Sequence, residues 1–169
     1  QDTEVNAATT MAPLGPALKN DYPEVVSYCR FLDVGEELVI KDENKFYEQG
    51  FYFADSSFFS IFDFKLINGD PTTVLTKPES IVLSESIAKK YFGDEDPIGK
   101  EIKTGAEGWT RMVTGVMEDV ESKSHILPRA LVSYSTLPED RTNFWGNISD
   151  FLYIQLADGT SPDQFSKNF

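Results

Sequence analysis

The stretch from Ser80 to Gly99, SIVLSESIAKKYFGDEDPIG, constrains the chain more than any other. Ile81, Val82 and Leu83 form a short apolar, β-branched run of the kind a buried strand uses. Ser84 is placed to cap a helix, and Glu85 puts a carboxylate at its positive end. Ile87, Ala88, Tyr91 and Phe92 recur at helical spacing, which predicts one apolar face. Lys89 and Lys90 suit the last turn, and Gly93 suits a left-handed stop. Asp94-Glu95-Asp96-Pro97 then requires an exposed turn, and Pro97 with Gly99 keeps the helix from resuming. Strand, helix, stop and turn are specified consistently, without any obvious chemistry.

Around that unit, 169 residues suffice for one domain with a core, which two lobes can share. A hydrophobic fraction of 40%, with 13 Phe and 7 Tyr, is enough to fold on. Against 28 acidic residues stand 15 basic ones, for a net charge of -13. That balance repels nucleic acid backbones and anionic lipid headgroups. The single Cys29 excludes an internal disulfide and a thiolate metal cage. Within Val25-Val26-Ser27-Tyr28-Cys29-Arg30-Phe31 it reads as a buried, inert thiol on a strand. No run approaches the ~18 apolar residues of a membrane span, and no signal peptide stands at the start. The abrupt beginning at Gln1 and end at Phe169 lead us to expect a piece of something longer.

Residues 12–20 predict a short helix with Leu14, Ala17 and Leu18 on one side. A strand is expected over 24–33, and a separate hairpin joins Val39-Ile40 to Lys45-Phe46-Tyr47. Residues 50–55 predict an aromatic strand, with Asp55 as the N-cap of a helical turn over 56–60. Phe62, Phe64 and Leu66 alternate as an extended segment, closed by a turn at Asn68-Gly69-Asp70-Pro71. Strands are expected over 100–103, 110–118, 130–134 and 151–156, with Gly115 marking a bulge or close backbone approach. Ser161-Pro162 starts a last helix. Strands and short helices mix without regular βαβ alternation, so the fold class is α+β, with mixed sheets and short helices.

The search for chemistry is largely negative. Gly93 to Lys100 superficially suggests a phosphate loop, but five residues separate the glycines, Glu101 stands where a hydroxyl belongs, and three carboxylates would face the phosphates. Asp94-Glu95-Asp96 lacks the spaced ligands of a calcium loop and reads as a solvated turn. His125 is the only histidine, so zinc is poorly served. It would act as a general base only beside a positioned nucleophile; a bond to its own loop or a neighbouring strand is the plainer expectation. The run Phe58-Phe59-Ser60-Ile61-Phe62-Asp63-Phe64 reads as core, whereas Trp109 and Phe144-Trp145 lie beside loop residues and are expected on the surface. No catalytic, cofactor-binding or metal residue is assigned, and no cofactor is expected.

Three segments together resemble a known family. They are Phe53-Ala54-Asp55-Ser56-Ser57-Phe58-Phe59 with Phe62-Asp63-Phe64 and Asn68-Gly69-Asp70-Pro71; Val82-Leu83-Ser84-Glu85-Ser86 with Ala88-Lys89-Lys90-Tyr91-Phe92-Gly93 and Asp96-Pro97-Ile98-Gly99-Lys100; and Val113-Thr114-Gly115-Val116 followed by Ser124-His125-Ile126. In this order they resemble the MacB-like periplasmic core domain of MacB/FtsX-type ABC transporter permeases, in a variant similar to those of Bacteroidetes-type bacteria. Pro13-Leu14 through Pro23-Glu24-Val25 fits the same pattern.

The resemblance implies a two-lobed, non-catalytic domain at the periplasmic face of the inner membrane. One lobe, near the membrane, would take residues 1–80 and 131–169, and an inserted β-rich lobe residues 81–130. It implies as partners a cytoplasmic ABC ATPase, a second permease copy, and a periplasmic protein or a peptide or lipid substrate. Nucleic acid is not among them, and membrane contact would come only through flanking helices. Family roles include export of antimicrobial and other peptides, lipoprotein release and mechanotransmission to cell-wall hydrolases. An alternative from another class is a secreted carbohydrate- or ligand-binding module using Trp109 and Trp145.

Overall fold

The computed structural model describes residues 9–120 and 124–167. In chain order these form β1 (Thr10–Met11), α1 (Leu14–Asp21), β2 (Val25–Lys41), β3 (Asn44–Ala54), α2 (Phe58–Ile61), β4 (Leu66–Asn68) and β5 (Ser80–Ser84). There follow α3 (Glu85–Phe92), β6 (Glu101–Thr104), β7 (Trp109–Met117), β8 (Ala130–Ser133), α4 (Glu139–Thr142), β9 (Ile148–Leu156) and α5 (Pro162–Lys167). The class is α+β, a mixed sheet with short helices.

The nine strands of the described residues join one sheet in the order β1-β9-β2-β3-β8-β5-β7-β4, and β6 bridges β2 and β7. The β6 bridge closes a ring of pairings: β2, β3, β8, β5, β7, β6 and back to β2. β3 pairs with β8 and β5 with β7 in parallel; the other pairings are antiparallel.

The central strands are covered on both faces, which is why β5 and β8 read as unbroken apolar runs. Ile81, Leu83, Ala130, Val132, Phe51 and Phe53 face one core, shared with α3. Val82, Leu131, Tyr52 and Ala54 face a second, filled by Phe58, Val74, Leu75 and Met117. Phe59, Ile61, Phe62 and Phe64 pack on that second core, so the aromatic run is core as expected. A third cluster seats Leu18 of α1 and Phe165 of α5 beside Val25 and the β9 side chains Leu152, Ile154 and Leu156. Each fully buried aliphatic side chain contributes roughly 1.5–3 kcal/mol.

The Ser80–Gly99 unit forms as expected. Ser84 Oγ accepts the Ile87 N–H at 3.4 Å, and Ile87, Ala88, Tyr91 and Phe92 are buried. Gly93 ends the helix at φ 62° but ψ -125°, so the stop has positive φ without being a left-handed helical residue.

Other expectations need correcting. The strand over 24–33 and the first arm of the hairpin are one strand of 17 residues, β2. Its polar middle looked like a break, but β3 pairs with it from Phe31 to Lys41, with a register shift at Val34–Gly35, and carries the strand through. Asp55 does not cap a helix. α2 starts at Phe58 with no side-chain cap, because the Asp55 carboxylate is taken by Arg30. β4 begins only at Leu66, after the aromatic run has turned into the core. The expected bulge is present beside Gly115: against β5 the pairing steps from Ile81↔Val113 to Val82↔Gly115 and leaves Thr114 as the extra residue. A Cβ on Gly115 would stand 3.1 Å from Val74 Cγ1 and 3.2 Å from Val82 Cγ2.

Candidate functional site

Among the described residues, three clusters with a buried charged side chain lie inside this framework, around Asp150, Glu48 and Arg111. The largest begins at Arg30 on β2. Its Nε donates to Asp55 Oδ2 at 2.9 Å, its Nη2 to Asp55 Oδ1 at 2.9 Å, and its Nη1 to the Ala12 carbonyl at 3.1 Å. Burial works against the Arg30 charge, but the bonds and attraction to Asp55 outweigh it and leave the pKa raised. The guanidinium stacks 4.1 Å from the Tyr134 ring. Tyr134 donates its hydroxyl to the fully buried Asp150 at 2.8 Å, and Arg141 on α4 reaches the same carboxylate at 3.1 Å. Burial, then the Asp150 bond and charge, push the Tyr134 phenol far up. These bidentate and charge-assisted contacts tie β2, β9, α4 and the turn after β8 together.

The second cluster surrounds Glu48 on β3, a buried carboxylate that takes the Lys90 ammonium, the Tyr91 hydroxyl at 2.9 Å and Arg129 Nη1 at 3.4 Å. The third surrounds Arg111 on β7, which is 2% exposed. Its Nε donates to Thr104 Oγ1 at 3.2 Å, and its guanidinium pairs with Glu79 and lies 5.4 Å from the Trp109 ring. Burial lowers the Arg111 pKa, with Glu37 opposing.

Several hollows adjoin the fold, two of them against helices, α3 in one case and α1 with α5 in the other. One, of about 390 Å³, lies where α3 meets its following turn and is lined by Glu85, Lys89, Asp94, Glu95, Asp96 and Ile67. Two of its carboxylates are engaged locally: Asp96 accepts the Ile98 N–H, and Glu95 pairs with Lys100. The other, of about 600 Å³, is apolar and lies between α1, β9 and α5, with Leu14, Leu152, Ile154 and Phe165 in its walls.

The candidates singled out from sequence do not converge. His125 is hydrogen-bonded through Nε2 to the Tyr153 hydroxyl on β9 at 2.5 Å. The neighbouring Ser124 hydroxyl is turned to the Ile126 N–H instead. Cys29 is fully buried in β2. Trp109 and Trp145 are exposed, as are Phe144 and Ile148. Trp109 sits on β7, whereas Trp145 follows α4, and among the described residues no ring contact joins them. Also among the described residues, no group of three or more His, Cys, Asp or Glu side chains is gathered as metal ligands would be. No helix there is long and apolar enough to cross a membrane. The buried polar clusters were not read from sequence. Their members are scattered over strands, helices and connections, from Arg30 to Asp150, and nothing in the local sequence of each marks its partner.

The comparisons with known proteins agree with this arrangement. The family described as MacB-like periplasmic core domain matches residues 3–169. A domain of a permease protein from Porphyromonas gingivalis is 26% identical, with a TM-score of 0.83 over 96% of this chain and 75% of that one. The periplasmic region of MacB from Actinobacillus actinomycetemcomitans gives 17% identity and a TM-score of 0.70, over 95% and 71%. The extracellular domain of the noncanonic ABC-type transporter YknZ from Gram-positive bacteria gives 19% and 0.65, over 96% and 79%. At those last two identities the likeness is one of fold. No curated protein sequence matches the chain.

Proposed function

The chain belongs to the MacB-like periplasmic core domain family, and from that premise we propose that it is the non-catalytic, extracytoplasmic working part of an ABC transporter permease. In this reading ATP is hydrolysed by a cytoplasmic partner, and a second permease copy completes the machine. The displacement is passed to this domain, which moves a peptide, lipid or lipoprotein, or a periplasmic partner protein, outside the inner membrane.

The observation that carries the reading is the family match along nearly the whole chain. The character of the polar clusters supports it: each ties separate elements together, as a body that must transmit force requires. The membrane-proximal lobe (1–80 and 131–169) and the inserted lobe (81–130) are part of the same proposal. Their seam would run between β5 and β8, paired at Ile81↔Val132 and Val82↔Leu131. These buried, hydrogen-bonded strands would carry displacement between lobes with little loss.

The test has two arms. In the isolated chain, calorimetric titration with Mg-ATP is expected to give no heat of binding, and saturable binding would overturn the assignment. In a permease carrying this domain, cysteines placed at exposed Tyr47 and Trp145 are expected to react with a membrane-impermeant maleimide from outside the inner membrane. Reaction only after the inner membrane is broken would also overturn it.

A further inference from the structure

The β2–β3 hairpin is kinked on both strands at one level. The paired residues run Asp33↔Tyr52, Gly35↔Phe51, Glu36↔Gln49. Val34 is therefore an extra residue on β2 and Gly50 an extra one on β3, and the two bulges cancel to restore the register. Gly35 has φ 69° and Gly50 φ 77°, conformations that side chains with a Cβ enter only at a cost. The Asp33 carboxylate accepts the Gly35 N–H at 2.7 Å and holds the bend. A bulge breaks the ladder and redirects its strand, and here both strands are redirected together.

Burial changes at the same level. Below the kink, Phe51 to Ala54 are all buried; beyond it, along residues 44–49, only Glu48 is. On β2, residues 36–41 contribute only Val39 to the buried set. The second edge of β2 pairs with β9 as far as Phe31 and with β6 only from Val39. The kink therefore has no ladder partner on that side.

We propose that residues 36–49 are a hinged strap that swings on the opposed bulges at Val34–Gly35 and Gly50 and is clasped over α3 by Glu48. The strap is held by the two-pair ladder Val39↔Thr104 and Ile40↔Lys103, extended by the Gly105 N–H to the Leu38 carbonyl, by the Val39 side chain in the core, and by the Glu48 carboxylate. Two of the groups Glu48 holds, Lys90 and Tyr91, belong to α3. The Phe46 ring meets Tyr91 at 6.4 Å, and Lys41 Nζ lies 5.8 Å from the Phe92 ring. Lifting the strap uncovers the Tyr91 and Phe92 face of α3 while the Phe51–Ala54 half of β3 stays in the sheet. A segment with so few buried attachments belongs to the part of a fold that opens locally rather than globally. This inference does not depend on the transporter reading.

Glu48→Gln isolates the clasp. The side chains of Lys90 and Arg129 are 39% and 42% exposed, so both cations return to water when the carboxylate is neutralised. Amide hydrogen exchange on the intact chain is the measurement. Once lifted, the strap is a lone two-stranded hairpin, which is marginal in water, so amides of 36–49 are expected to exchange as one unit, faster than those of 51–54 and 80–84. Glu48→Gln is expected to speed the first group about tenfold and leave the others unchanged. Equal protection of strap and sheet, or equal acceleration everywhere, would overturn the proposal.

A second variant works in the other direction. The Gly105 N–H donates to the Leu38 carbonyl at 2.9 Å, which makes Val39↔Thr104 a closely spaced, non-hydrogen-bonded pair. Cysteines there fit a disulfide. The oxidised Val39→Cys/Thr104→Cys chain is expected to slow exchange of 36–49 to the rate of the sheet, with reductant restoring it. Unchanged exchange on oxidation would overturn the strap.

Discussion

The Cys29 thiol is fully buried in β2. That burial, with the Asp55 charge a smaller contributor, pushes its pKa up to about 12 from an ordinary 9.0. Because the folded value is raised, the stabilising effect of the neutral thiol is complete below pH 9. It is lost as pH climbs from there towards 12. The native chain is expected to resist iodoacetamide at pH 8 and to be labelled within minutes in denaturing urea. Rapid native labelling would mean that β2 opens at this residue. The inert thiol was legible in sequence, since Val25 to Phe31 already reads as a strand with Cys29 inside it. The Asp55 contribution was not, because Asp55 lies 26 positions away on the far side of a hairpin, and only the fold brings its charge near.

At the scale of the element, α3 shows which parts of a helix are written locally. The Ser84 cap, the apolar face and the stop near Gly93 all come from neighbouring residues, and all were readable. The second N-terminal cap was not. Asp119, from the loop after β7, accepts the Ser86 N–H at 3.1 Å and its hydroxyl at 2.7 Å. Asp119→Ala is expected to cost about 1 kcal/mol, as the loss of a cap does. In a urea titration the midpoint would fall while the slope stays constant. An unchanged midpoint would mean that water replaces the carboxylate. Lys90 departs from its expected role in the same way: its ammonium goes to Glu48 and the Phe46 ring rather than only to the end of its helix. The length of β2 was missed for a related reason. Asp33 to Glu37 has the polarity of a turn, but ladder pairing with β3 resumes across the bulge at Val34–Gly35 and continues the strand.

At the scale of the whole molecule, the Arg30–Asp55 pair joins β2 to the residue just past the end of β3, and the Asp150 cluster beside it joins α4 to β9. Both Arg30 and Asp55 side chains are largely shielded, at 12% and 16% exposure. Removing one partner leaves the other charge without compensation. Asp55→Ala is therefore expected to destabilise the chain by about 3 kcal/mol, read as a fall in unfolding midpoint. A loss below a few tenths of a kcal/mol would show that solvent already screens the pair. What the sequence determined by itself is the Ser80–Gly99 unit, most of the other local elements though neither the length of β2 nor α4, the aromatic core run, the buried thiol and the fold class. These depend on periodicity and on caps within a few residues of one another. What only the tertiary structure decided is the ring closed by β6, the opposed bulges and the partners of Asp55, Glu48 and Arg111. Those depend on which strands become neighbours. Arg30 meets Asp55 across 25 positions and Arg129 meets Glu48 across 81, separations over which a charge in the sequence carries no mark of the partner it will have.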